Sequence, residues 1–185
     1  MNQLIAAGLG TLSVDGDIGA EWTEAARSFV VDVPKLELGG LLKASARIAL
    51  ANVPRQVFSA NAVQAIGAAA QIEAGTLELT LRDIGAVDLA ITQFARSQNT
   101  SRDAARRTIL DAIKVDREAI GGANTNAEAD ALFAALARFV ESPGQTLVIK
   151  LTPLGKVPAM QLVQMLKTDP LLPLAQFRIE ASTGL

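Results

Sequence analysis

Cysteine, histidine and tyrosine are all absent from the 185-residue sequence. Without cysteine, the chain forms no disulfide and offers no thiolate to a metal or a substrate. Without histidine, it lacks the usual general base at neutral pH, the usual partner of a nucleophilic serine and the commonest zinc ligand. A Ser-His-Asp triad, a Cys-His pair and an ordinary zinc site are therefore excluded within this chain. We expect a protein that is not an enzyme and uses no cofactor, with carboxylate, lysine or magnesium chemistry as the open enzymatic alternatives.

The sequence also lacks an excess of positive charge and contains few aromatic residues. Its formal net charge is −2, and aromatic residues make up only 4% of the chain. Domains that bind nucleic acids usually carry a strong basic excess, and proteins that bind single strands stack the bases on aromatic side chains. We therefore expect no nucleic-acid partner.

One stretch, residues 95–114, departs from this composition because it is rich in arginine. The hydrophobic spacing predicts a helix that begins after Thr100 or Ser101. Acidic residues lie four positions from several of its cations and compensate their charge. These predicted pairs are Asp103–Arg107, Arg107–Asp111 and Lys114–Glu118. The pattern is typical of a solvent-exposed helix face and not of a phosphate-binding surface.

No segment of the sequence is long and apolar enough for a transmembrane helix. The longest uncharged run, residues 56–72, is interrupted by glutamine, serine and asparagine. The N-terminus has neither the basic start nor the long apolar stretch of a signal peptide. From the length we expect a single domain over residues 1–185. We expect this domain to be cytoplasmic, unless the chain is a fragment of a longer exported protein.

Residues 1–53 show the two-residue alternation of antiparallel strands. Asp15-Gly16 predicts a tight hairpin turn, and Gly39-Gly40 predicts a later turn. Pro34 predicts a bend or an edge position in the second strand. The third strand has apolar residues at every second position, Leu42, Ala44, Ala46, Ile48 and Leu50. We expect a β-meander with one face exposed to water.

Residues 54–185 are predicted to be richer in helix. One helix is expected from Pro54 to about Gln71, followed in order by strand, helix, helix, helix, strand, helix and strand. The last of the three consecutive helices is predicted at residues 124–141, where the polar stretch 142–144 ends it.

A short internal repeat supports this order of elements. Residues 76–87 and 146–157 share the pattern T-L-x-[LI]-x-L-x-x-[IL]-G-x-V. The repeat predicts two strand-turn-helix units, at 75–98 and 144–168, which arose by duplication or share only their turn chemistry. The whole pattern predicts an α+β fold, in which a mostly antiparallel sheet carries helices packed on one face.

Three groups of residues are candidates for function. Asp83 and Asp88 follow a predicted strand, where they suit an acid–base pair or a magnesium site, although a turn and a helix start also favour aspartate. Trp22, the single tryptophan, is predicted to be a core residue, a sheet-face residue or a ligand platform. The segment 156–177 has adaptable apolar side chains that suit a core, a cavity or an interface. Its candidate residues are Met160, Val163, Met165, Leu166, Leu171 and Leu174.

The first strands carry two short motifs, G-D-x-x-A-x-W at residues 16–22 and L-x-L-G-G-L at residues 36–41. In these motifs the region resembles the strand-turn-strand units of uncharacterised bacterial envelope proteins, of the broad type that includes AsmA-like repeats. The resemblance covers about the first third of the chain, and the helical remainder departs from it. It implies a periplasmic or membrane-associated location, with a signal or anchor upstream, and a role in lipid handling or envelope integrity. It implies no catalytic residues.

These observations favour a non-catalytic binding or scaffold domain of a bacterial cell-envelope protein, which holds an apolar or lipid-like ligand or a protein partner. Two alternatives stay open. One is a structural module that self-associates into a homo-oligomer through its apolar residues. The other is a magnesium-dependent enzyme that uses Asp83 and Asp88.

Overall fold

The computed structural model describes residues 13–121, 127–169 and 171–184. Its six strands form one sheet in chain order, and all neighbouring strands are antiparallel. The strands are β1 Val14–Thr23, β2 Ser28–Leu38, β3 Leu42–Ala51, β4 Glu73–Asp83, β5 Thr146–Pro153 and β6 Phe177–Gly184. The α-helices are α1 Ala62–Ala69, α2 Ala86–Ser97, α3 Arg102–Gly121, α4 Ala127–Glu141 and α5 Ala159–Thr168. The predicted α+β fold with a mostly antiparallel sheet is confirmed.

The helices lie in the connections between the later strands. Short turns join β1, β2 and β3, whereas α1 lies between β3 and β4, helices α2 to α4 lie between β4 and β5, and α5 lies between β5 and β6. Two 3₁₀ helices, Arg55–Phe58 and Leu172–Gln176, precede α1 and β6 respectively. The element order predicted after residue 71 is confirmed. The two predicted parts of the domain, residues 1–53 and 54–185, share one sheet because β3 pairs with β4.

The first turn does not lie where the sequence predicted it. Asp15 and Gly16 lie inside β1, where they pair with Glu37 and Leu36 of β2. The turn lies at residues 24–27 instead, and Arg27 there has a φ of 46°. The prediction of a hairpin at Asp15-Gly16 was wrong because cross-strand pairing along β1 outweighs the local turn preference of an Asp-Gly pair.

Pro34 lies in an inner strand, where the pairing is irregular. The register between β2 and β3 shifts between Val33 and Leu36. Such a bulge accommodates a residue that has no N–H to donate to the ladder. Pro34 therefore does not lie at an edge of the sheet, and the structure shows a register shift where the sequence predicted a bend. Gly39 and Gly40, with φ values of 53° and 69°, form the next turn as predicted.

The helix predicted from Pro54 to Gln71 is divided in two. After the first 3₁₀ helix, the Asn61 side chain caps α1 by accepting hydrogen bonds from the N–H groups of Val63 and Gln64. The cap separates segments that apolar spacing alone joins. Helix α4 ends at Glu141 as predicted, and the predicted start at residues 124–126 lies outside the described residues.

The buried core lies between helices α2 to α4 and the second half of the sheet. Helix α4 packs on β6 and β5. One buried cluster joins α4 to the sheet and consists of Ala135, Phe139 and Leu147, in contact with Leu81, Ile149 and Ala181. A second cluster, Ile91, Ala95 and Ala105, packs α2 against α3. No helix within the described ranges is long and apolar enough to span a bilayer.

Candidate functional site

The core face of the sheet continues beyond the helices that cover it. Residues paired across antiparallel strands direct their side chains to the same face. One such row passes from Ile179 in β6 through Leu151, Leu77 and Ile48 to Val31 in β2. Ile179 is 3% exposed, whereas Ile48 is 38% exposed. The same apolar face is therefore buried at β6 and open at β3.

The open part of this face is formed by β1, β2 and β3. Not one residue of these three described strands is buried. We call the residues on this side the open apolar face, and all of them are apolar or glycine. They are Val14, Gly16, Ile18, Ala20, Trp22, Phe29, Val31, Val33, Leu36, Leu38, Leu42, Ala44, Ala46, Ile48 and Leu50. At about 3.3 Å per residue, the face extends about 26 Å along β1.

Trp22 lies at one end of the open apolar face and is half-buried. Its indole Nε1 donates a hydrogen bond to the carbonyl oxygen of Val53 at 3.1 Å. The Phe58 ring, from the first 3₁₀ helix, contacts the indole edge-on, with ring centroids 5.1 Å apart. Both rings line an open cleft of about 630 Å³, together with Arg55, Gln56, Ser59 and Gln64. Trp22 therefore lies on a sheet face beside an open cleft, and its role as a ligand platform stays a prediction.

The opposite face of the sheet is polar and carries ion pairs between neighbouring strands. Lysine and arginine pair with carboxylates at 3.1–3.8 Å, in the pairs Lys35–Asp15, Lys43–Glu37, Arg47–Asp32 and Lys150–Glu78. Ion pairs that are this exposed add little to stability. The two faces of β1 to β3 therefore differ in chemistry, and the apolar one is suited to an apolar ligand.

The candidate residues of the segment 156–177 lie on α5 and at the second 3₁₀ helix. Met160, Val163 and Leu166 are exposed, and their spacing of three places them along one side of α5. The other three are half-buried, namely Met165, Leu171 and Leu174. None of the six residues lines the cleft beside Trp22. The segment therefore forms a separate surface.

Asp83 is a buried carboxylate at the end of β4, with an exposed fraction of 2%. It accepts hydrogen bonds from the N–H groups of Gly85, Val87 and Gly144 at 3.1, 3.0 and 2.9 Å. Burial raises the pKa of a carboxyl, but the backbone donors outweigh this effect and hold the pKa of Asp83 below its ordinary value of 3.8. Asp83 thereby connects the end of β4 to the start of α2 and to the loop before β5.

Asp88 lies in the first turn of α2 and has a different environment. It pairs with Arg102 and Arg106 of α3. The two aspartates predicted as an acid–base or magnesium pair are thus engaged separately, Asp83 by backbone donors and Asp88 by guanidinium groups. Within the described part of the chain, no group of three or more acidic residues is arranged to hold a metal ion.

The arginine-rich helix α3 carries compensated charges, as the sequence predicted, but the partners differ from the predicted ones. Arg102 pairs with Asp88 of α2, and Arg117 pairs with Asp130 of α4 at 2.7 Å. Lys114 pairs with Asp111 at 3.5 Å. The compensation therefore comes largely from neighbouring helices, which spacing within one helix does not reveal.

Ile18, Ile48 and Phe58 belong to the candidate site, although they were not singled out from the sequence. For the two isoleucines a signal was present, since both follow the strand alternation of their apolar neighbours. The alternation shows which face is apolar, but not whether a helix covers it. Phe58 carries no comparable signal, because its contact with Trp22 depends on how the 3₁₀ helix folds back onto β1.

A family model described as an uncharacterized protein matches residues 35–183. The match begins in β2, ends in β6 and contains all the helices of the structure. No curated protein and no solved structure matches the chain. Because the family model matches most of its length, the chain belongs to this family of uncharacterized proteins.

Proposed function

We propose that the protein is a non-catalytic binding domain that holds an acyl chain on the open apolar face. The observation that carries the proposal is the row from Ile179 to Val31, in which the apolar core face continues past the helices. Large continuous apolar patches are rare on the exposed surfaces of soluble proteins. Where such a patch occurs, it usually marks a binding site. A chain of methylene groups matches a surface that has no polar side chain.

The cleft beside Trp22 supports an amphiphile as the ligand. Trp22 and Phe58 supply apolar surface there, and Arg55 supplies a cation at the same end. Arg55 pairs with Glu24 at 3.6 Å, and both side chains are exposed. Since such a pair is weak, an anionic head group can take the place of Glu24. We therefore place the head group at Arg55 and the acyl chain along β1 to β3.

A location in the bacterial cell envelope belongs to the same proposal. The two AsmA-like motifs, residues 16–22 and 36–41, fall in β1 and around the turn between β2 and β3. They therefore lie within the strands that form the open apolar face. A periplasmic or membrane-associated protein encounters lipids and fatty acids, which supports this assignment of the ligand.

Quenching of Trp22 fluorescence by a fatty acid brominated along its chain tests this proposal. Trp22 is the single tryptophan and the chain has no tyrosine, so the emission reports on this site alone. We expect saturable quenching, because the acyl chain lies against the indole ring. Ile48→Asn should weaken the apparent affinity about tenfold, since it removes apolar contact from the face.

Val148→Asn is the matched control for this experiment. Val148 is 41% exposed, close to the 38% of Ile48, but it lies on the polar face of the sheet beside Thr80 and Ser182. We expect the affinity of the Val148→Asn variant for the brominated fatty acid to stay within about twofold of that of the unchanged chain, because the substitution lies on the surface away from the site. Absence of quenching, or equal losses for both variants, would refute the acyl-chain proposal.

A second candidate function rests on the exposed side of α5. Met160, Val163 and Leu166 form an apolar stripe there, and methionine adapts well to varied partner surfaces. This stripe supports a structural module that self-associates through α5. The open apolar face is larger and continuous with the core, and for this reason we place acyl-chain binding first.

A further inference from the structure

We infer that the free edge of β1 binds an extended segment of a partner protein, in which lysine or arginine alternates with apolar residues. The inference rests on the backbone edge of β1 and on the charges of its polar face. The apolar residues of the partner would border the open apolar face, but their binding does not require an acyl chain to be bound there.

The first observation is that, among the residues that the structure describes, one edge of β1 is unpaired. Within these ranges β1 pairs only with β2, and no backbone hydrogen bond joins its outer side to another element. An exposed edge strand offers a row of N–H and C=O groups to an incoming strand. β1 contains no proline. Its register with β2 shifts between two pairs, Asp17 with Lys35 and Gly19 with Asp32, and the extra residue at this shift belongs to β2. The edge is therefore regular over its length.

The second observation is the charge left at this edge. Within the sheet, four carboxylates on the polar face pair with a cation on a neighbouring strand, as Asp15 does with Lys35. Asp17 and Glu21 lie on the same face of β1, and within the described chain neither has a cationic partner. A neighbouring strand with two cations four residues apart would continue the pattern of the sheet, because opposite charges across strands are favourable.

The same charges disfavour a second copy of β1 as the partner. Antiparallel pairing of two β1 strands about Gly19 places Asp17 of one copy opposite Glu21 of the other. A parallel arrangement in register places each carboxylate beside its own equivalent. Like charges directly across a strand pair are destabilising, so the edge selects against self-pairing and for a basic partner.

Strand geometry fixes the pattern of the partner segment. Residues opposite Asp17 and Glu21 are basic, and the residue between them, opposite Gly19, is small or polar. The intervening residues lie beside Ile18 and Ala20 and are apolar. A seven-residue peptide, Val-Lys-Val-Thr-Val-Lys-Val, has this pattern and serves as the probe.

Binding of the labelled peptide to the full chain, measured by fluorescence anisotropy, tests the inference. We expect saturable binding that weakens with added salt and is lost when alternate backbone nitrogens of the peptide are methylated. Replacing both lysines of the peptide with glutamate should abolish binding. Asp17→Lys combined with Glu21→Lys should weaken binding of the lysine peptide about tenfold, because two attractive pairs become repulsive.

Asp116→Lys combined with Glu118→Lys is the matched control, since it makes the same change in net charge on the exposed side of α3. This control should leave peptide binding unchanged, and so should Ile48→Asn, whatever its effect on fatty-acid binding. Equal binding of the lysine and glutamate peptides, or no effect of backbone methylation, overturns the inference. An oligomer of the unchanged chain that Glu21→Lys tightens, because the substitution turns the Asp17–Glu21 contacts into opposite-charge pairs, would assign the edge to a second copy and also overturn the inference.

Discussion

At the scale of single residues, Asp83 shows how a buried charge organises the molecule. Three backbone N–H groups from two separate segments donate to its carboxylate. The donors at Gly85 and Val87 belong to the start of α2, while the donor at Gly144 belongs to the loop before β5. Because α2 to α4 lie between these two points in the chain, the hydrogen bonds of Asp83 hold the two ends of this helical segment together.

Asp83→Asn should therefore lower the free energy of unfolding by about 1–3 kcal/mol at pH 7, because one donor loses its acceptor. The folded-state pKa of Asp83 lies below its ordinary value of 3.8. The ionised carboxylate therefore stabilises the fold at any pH above the unfolded-state pKa of about 3.9. This stabilisation disappears as the pH falls through the folded-state pKa. Urea unfolding of the unchanged chain and of the Asp83→Asn variant, measured between pH 7 and pH 2, should show that their difference in stability narrows in acid. Asp88→Asn, at an exposed ion pair, should cost less than about 1 kcal/mol. An equal cost for both substitutions would contradict this account.

Residue-scale prediction from the sequence succeeded where the signal was local. The sequence indicated that Asp83 sits at a turn, and the structure shows it there. The donation from Gly144, far away in the chain, depends on the pairing of β4 with β5 and has no sequence signal. The same holds for the pairs Arg102–Asp88 and Arg117–Asp130, which need the helices to be packed first.

At the scale of elements, two glycines have opposite roles. A Cβ at Gly75 would lie 2.9 Å from the carbonyl oxygen of Ala49, because β3 and β4 approach closely beside a register shift. A Cβ at Gly67 in α1 would meet nothing within 4 Å. Close backbone approach requires glycine in the first case, whereas in the second case glycine only weakens the helix.

Gly75→Ala should destabilise the protein by about 1–3 kcal/mol, since backbone must shift to admit the methyl group. Gly67→Ala should stabilise it by about 0.5–1 kcal/mol through better helix propensity. Chemical unfolding followed by circular dichroism measures both changes. If Gly75→Ala left the stability unchanged or raised it, the result would contradict the close approach of β3 and β4 at this position.

Most elements were predictable from the sequence because periodicity is local. The alternation from Leu42 to Leu50 and the repeat at residues 76–87 and 146–157 predicted strands that the structure contains. Turns were less predictable, since the Asp15-Gly16 pair has turn chemistry but lies within β1. The break before α1 depends on the cap that Asn61 provides, which apolar spacing does not encode.

At the scale of the whole molecule, chain order explains why one half of the sheet is open. The helices that form the core connect β4 to β5, and they pack on the strands next to them. The turns that join β1, β2 and β3 are too short to contain a covering element. The sequence predicted a sheet with helices on one face, but it did not show that the helices cover only part of that face.

The measurement that tests the central claim most directly is native mass spectrometry of the purified full chain, followed by organic extraction of what accompanies it. We expect the mass of one chain plus an amphiphile with an acyl chain. Ile48→Asn should lose the added mass, and Val148→Asn should keep it. A bare dimer would favour self-association through α5 instead. A bare single chain, before and after exposure to fatty acid, would contradict the claim that the open apolar face holds a ligand.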